Sequence, residues 1–153
     1  MAKKIGPYIG VTGFMSRAEV EEAREVVPQD AIRRLMVGVL MSDKTLAGQE
    51  NKWPGRYPKR EAVADIFVDD PRVLNLVHYN THEPKSLCWQ LKEVTELAGP
   101  NLDGFQLNMA WPPITQLRNY VEEYPEKLIV LQIGHTAMAQ VESYGCTAIP
   151  ELF

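Results

Sequence analysis

Leu35-Met36-Val37-Gly38-Val39-Leu40-Met41 is an unbroken apolar run of strand length. A strand with one wet face alternates apolar and polar residues, whereas a strand dry on both faces has no reason to. Dry strands of this kind belong to parallel sheets, covered by the helices that connect one strand to the next. The run therefore predicts a helix on each side of it and a further strand beyond each helix.

Both neighbours are present. Upstream, Tyr8 to Gly13 is short, β-branched and bounded by glycine, and it predicts a strand. Ser16-Arg17-Ala18-Glu19 follows with the spacing of a capping box, and Val20, Ala23, Val26 and Val27 continue at helical spacing until Pro28. Downstream, a long loop is expected from Ser42 to Arg60, where Gly48, Pro54, Gly55 and Pro58 recur. A short helix is expected over Glu61 to Val68, and Val73 to His78 reads as a third strand. Leu87, Leu91, Val94, Leu97 and Ala98 mark a helix that Gly99-Pro100 stops. Gly104 to Met109 reads as a fourth strand. Pro112-Pro113 then opens a helix carrying Ile114, Leu117, Tyr120 and Val121. Leu128 to Ile133 reads as a fifth strand, with a last helical stretch from about Thr136 to Glu142.

Strands alternating with helices predict an α/β fold with a parallel sheet and right-handed crossovers. The expected architecture is a parallel-strand, TIM-barrel-like domain, incomplete, with about five β/α units over residues 1–142. Residues 143–153 form an atypical C-terminal tail with neither helical period nor strand pattern. An unfinished barrel has two unpaired margins, so a homo-oligomer is expected. The alternatives are a tail that covers the gap and a shortened barrel product.

Composition excludes several classes. The chain has 153 residues, 45% hydrophobic and 24% charged, with net charge −4. That balance suits a globular domain and gives no global attraction to nucleic acid or anionic lipid. No apolar run reaches the roughly 20 residues of a membrane span. The lysines at the amino terminus are followed by no apolar segment of a signal peptide. Cys88 and Cys146 form no CxxC pair or disulfide framework, so a reducing cytoplasmic setting is expected.

Ligands of parallel α/β folds sit at the carboxyl ends of strands. Those ends carry Thr12, Ser42 with Asp43, His78 with Asn80, Thr81 and His82, Asn108 with Trp111, and Gln132 with His135. All three histidines of the chain follow a strand. His78 or His135 with Asp43 is the candidate catalytic set. Thr12, Ser42, Asn80, Gln106, Asn108 and Gln132 are the candidate ligand contacts. Gln106 and Asn108 alternate with Phe105, Leu107 and Met109, so the two amides share a face and need partners from a ligand, from water or from each other. His78 and His82 are four apart, but Asn80-Thr81 between them and Glu83-Pro84 after them indicate a loop. No metal and no cofactor is expected. Trp53 to Tyr57 is either a lid or a surface loop, Cys88 and Trp89 are expected to pack, and Cys146 is placed in the tail.

At Val11-Thr12-Gly13-Phe14, with Ser16 and the first helix after it, the chain resembles the phosphoribosylanthranilate isomerase family of (β/α) barrels. The resemblance continues at Gly38-Val39-Leu40, Tyr57-Pro58-Lys59-Arg60 and the third strand ending in His78, and it is clearest at Phe105-Gln106-Leu107-Asn108. It implies a small sugar-like or phosphorylated ligand at the strand ends. The family's cysteine base falls on Thr12, whose hydroxyl does not ionise near neutral pH, and its aspartate acid belongs to a strand beyond the fifth. The isomerase reaction itself is therefore not expected. The alternatives are a non-catalytic product held together by self-association and a divergent His-dependent isomerase or lyase.

Overall fold

A computed structural model describes residues 8–26, 34–48, 56–107 and 113–131. Five strands form one sheet: β1 (Tyr8–Thr12), β2 (Arg34–Ser42), β3 (Val73–Asn80), β4 (Gly104–Leu107) and β5 (Leu128–Leu131). They lie side by side in the order of the chain, and every neighbouring pair is parallel. The α/β class and the parallel sheet are as the apolar run at 35–41 requires.

The helices are α1 (Arg17–Val26), α2 (Asp43–Leu46), α3 (Val63–Ile66), α4 (Leu87–Ala98) and α5 (Ile114–Glu123). With strands in chain order, every crossover steps the same way, and right-handed connections then carry all the helices to one side. The core agrees. Val37, Val39, Val77, Tyr79, Phe105 and Leu107 join Val20, Ile66, Leu91, Val94, Leu117 and Tyr120 in a single buried cluster. All of the strand residues in that cluster have odd numbers, as a period of two demands. The even positions Met36, Leu40, Leu76, His78, Gln106 and Val130 belong to the other face.

Local chemistry sets the element ends. Gly99 follows α4 with φ +74°, a conformation that costs a Cβ-bearing residue but not glycine. At the head of α1, the Glu19 amide reaches the Ser16 hydroxyl at 3.4 Å, half of the expected capping box. The Glu19 carboxylate accepts instead from the Met15 amide at 2.8 Å, one residue earlier than expected. Arg56 pairs with the same carboxylate.

The structure departs from the sequence expectation in several places. The segment after β2 is not loop from its start: Ser42 and Thr45 form a reciprocal capping box that begins α2. The expected helix over 61–68 is a 3-10 turn, Arg60–Ala62, followed by α3. Phe67 leaves the helix in extended backbone, and it and Val68 are buried. Strand β3 runs two residues past His78, to Asn80. Val26 and Trp89 are exposed (79% and 58%), so helical spacing at Val26 and aromatic character at Trp89 do not secure a core position. Cys88 does pack, half-buried against the core. The expected strand ends at Asn108, Met109, Gln132 and Ile133, the lid residues Trp53 to Gly55, the last helical stretch and the tail with Cys146 lie outside the described residues.

Candidate functional site at the carboxyl ends of the strands

The amino ends of the strands hold an open cleft of about 320 Å³ lined by Asp70, Asn75, Asn101 and Asp103, among others. Its polar groups serve the fold. The buried Asn75 amide donates to the carbonyls of Val68 (2.8 Å) and Asn101 (2.9 Å), and the Asn75 main-chain N–H donates to Asp103 at 2.9 Å. Asp70 accepts from the Arg72 side chain and main chain, and it also pairs with Arg24. These arginine contacts hold its carboxyl well below the usual carboxylate range. Lys127 donates to the Leu102 carbonyl at 2.8 Å.

The carboxyl ends differ. Register places Ser42 opposite Asn80 on neighbouring strands. The residues that follow each strand therefore meet: Asp43, first in α2, and His82, just beyond β3. One carboxylate oxygen of Asp43 lies 2.8 Å from His82 Nδ1 and accepts the Lys44 amide at 2.9 Å. The other accepts the His82 amide at 2.6 Å and, more weakly, the Thr81 hydroxyl at 3.4 Å. Burial alone would raise the Asp43 pKa, but the ring and amide of His82 outweigh it and hold the carboxyl ionised below its ordinary value. Asp43 is largely enclosed while the His82 ring is 42% exposed. No described residue meets its Nε2.

The loop carrying His82 is braced from beneath. Buried Tyr79 donates its hydroxyl to Gln90 Oε1 at 2.8 Å. Gln90 Nε2 in turn donates to the Glu83 carbonyl (3.0 Å) and the Ser86 hydroxyl (2.8 Å). Thr81 accepts the Glu83 amide at 3.0 Å. Such bracing holds a ring in one orientation without occupying its outward nitrogen.

On the even-numbered face of the sheet, register aligns Leu40, His78, Gln106 and Val130 across four strands. His78 Nδ1 is buried and has no hydrogen-bond partner among the described residues. Burial pushes its pKa down, so the ring is neutral near pH 7. Gln106 sits beside it in register, half-buried.

The predicted residues thus separate. His78, Gln106 and Asn80 share one sheet face near the carboxyl ends, and Asp43 stands on the rim. Ser42 is buried and its hydroxyl accepts the Thr45 amide at 3.3 Å, so its visible work is to start α2. Thr12 pairs in register with Gly38. Asn108, Gln132 and His135 lie outside the described residues. Asp43 takes His82 as its histidine, a pairing that sequence reasoning missed. A signal was present: Asp43 and His82 each follow one of two consecutive parallel strands, so their loops are adjacent by construction.

Among the described residues no three His, Cys, Asp or Glu side chains gather as a metal would need, and no helix is long and apolar enough to cross a membrane. No family model, no curated protein and no solved structure matches the chain.

Proposed function

We propose that the chain is a relative of the (β/α) barrels resembling phosphoribosylanthranilate isomerase, and that it binds a small polar, sugar-like ligand at the carboxyl ends of its strands. Strand order carries the barrel part of the reading: five parallel neighbours in chain order, with the helices on one side, is the arrangement of a barrel wall. A doubly wound sheet would reverse its strand order partway.

The observation that carries the ligand part is His78. A buried ring nitrogen without a partner costs the fold stability, and in native proteins such a group calls for a reason. A ligand hydroxyl on that nitrogen, with Gln106 beside it, supplies one. A neutral, hydroxyl-rich ligand suits this end better than a phosphate ester, because the rim bears the Asp43 carboxylate. Titration calorimetry with ribose and with ribose 5-phosphate tests this. Heat with ribose that disappears in His78→Leu is expected. No heat from either compound at millimolar concentration overturns the ligand reading.

Self-association is a second reading, favoured by the sheet margins. All four residues of β5, Leu128–Leu131, are partly exposed at the end of the sheet. An apolar margin strand of this kind is a template for another copy. Light scattering after size-exclusion chromatography should give at least a dimer, and a monomer at micromolar concentration contradicts it.

A further inference from the structure

We propose that His82 is the catalytic base of the carboxyl-end site, with Asp43 as its positioning residue. The inference rests on the reading that this end of the sheet receives a ligand, and it adds an activity to that binding: transfer of a proton to and from an oxygen bound there.

Four contacts argue for it. Asp43 accepts the ring Nδ1 and the main-chain amide of the same histidine, so both the position of the ring and its rotation are set by one carboxylate. The Lys44 amide and the Thr81 hydroxyl hold that carboxylate in turn. An ionised carboxylate only accepts hydrogen bonds, so in its neutral form the ring carries its proton on Nδ1 and leaves the Nε2 lone pair bare. The pair is asymmetric in exposure, with the carboxylate enclosed (13% exposed) and the ring open (42%). A surface ion pair made only to tie two loops has no need of that asymmetry. A base with an orienting group behind it does, since the reacting nitrogen must be reachable and the orienting group must be shielded from water. The Tyr79–Gln90–Glu83 brace removes the freedom of the loop that would otherwise spoil the geometry.

The step conserves atoms and charge. A water or ligand hydroxyl gives its proton to His82 Nε2 as its oxygen bonds to an electrophilic carbon, and the ring becomes an imidazolium whose Nδ1–H stays on Asp43. The departing oxygen then takes the Nε2 proton as its bond to carbon breaks, and the neutral ring is restored. No metal, oxidant or reductant takes part.

The test uses the full chain and 4-nitrophenyl acetate as the probe, alongside nitrogen NMR of the histidine rings. The expected spectrum shows His82 with Nδ1 protonated and Nε2 bare, and the tautomer changes or becomes mixed in Asp43→Asn. Ester hydrolysis above the buffer rate is expected to fall at least about tenfold in His82→Gln, and also in Asp43→Asn. Circular dichroism melts show whether each variant is folded. A wild-type ring protonated at Nε2, or equal rates in wild type and folded His82→Gln, overturns the proposal and leaves the pair as a loop staple. Ribose calorimetry separates the two readings. Ribose binding without the tautomer or the rate defeats the base alone, whereas a correct tautomer and rate with no heat from ribose or ribose 5-phosphate defeats the ligand reading and leaves the base.

Discussion

The two ends of the sheet treat polar groups in opposite ways. At the amino ends, Asn75 stitches the loop before β3 to the loop before β4, Asp70 is clamped by Arg24 and Arg72, and Lys127 reaches a main-chain carbonyl. At the carboxyl ends, His78 holds a buried nitrogen with no partner among the described residues, and the half-exposed His82 ring, held by Asp43 at Nδ1, meets no described residue through Nε2. The cleft lies at the first end and the available chemistry at the second. At one end the polar groups are spent on holding the loops; at the other, His78 Nδ1 and His82 Nε2 have no partner among the described residues.

If that contrast is right, the largest losses of stability come from the amino ends. Gly104 is the sharpest case, because a Cβ there would lie 2.0 Å from the Leu128 carbonyl oxygen. Only backbone movement can relieve such a contact, and Gly104→Ala should cost about 3 kcal/mol in urea unfolding. A loss under about 1 kcal/mol would show that β4 and β5 tolerate separation.

Asn75→Ala comes next. It strands the Val68 and Asn101 carbonyls in the interior, at an expected cost of about 2 kcal/mol by the same measurement. A neutral result would mean that the amino end is less committed to stability than its hydrogen bonds imply.

Acid should act in two stages. The His78 pKa is depressed by burial from its ordinary 6.5, so its contribution is present above that value and declines as pH falls through and below it. Asp70 is depressed from 3.8 by its arginine contacts, so its contribution is present above about that pH and is lost in stronger acid. Urea midpoints measured from pH 8 to pH 3 should therefore fall first below about 6.5 and again below about 4. Asp70→Asn should shrink the second fall and leave the first.

The smallest change expected is also a gain. His78→Leu replaces a buried nitrogen that has no partner among the described residues with an apolar group and should raise stability by about 1 kcal/mol, while removing the first acid stage. Stability lost instead would mean that the ring has a structural partner, and the contrast between the two ends would weaken.

Much of this fold was legible in the residues. The apolar run at 35–41, the 87–98 helix with Gly99 after it, and the alternation Phe105-Gln106-Leu107 each have one physical solution. Trp89, expected to pack, is exposed, and Val26 is exposed at a position that keeps its helical spacing: spacing tells which residues share a face, not whether a neighbour covers it. The capping of α2 was hidden because Ser42 and Thr45 sit between a strand and a glycine-containing stretch that reads as loop.

The site divides the same way. By itself the sequence placed His82 and Asp43 just after strands, because a strand's end and a connection's start are local matters of pattern and turn chemistry; His78, expected at a strand end, lies inside β3. Which histidine would meet Asp43 was decided only by tertiary structure. Pairing of β2 with β3 sets Ser42 against Asn80, and the contact of Asp43 with His82, 39 residues apart along the chain, follows from that register. A hydrogen bond depends on tenths of an ångström between separate segments, and no periodicity along one segment encodes that distance.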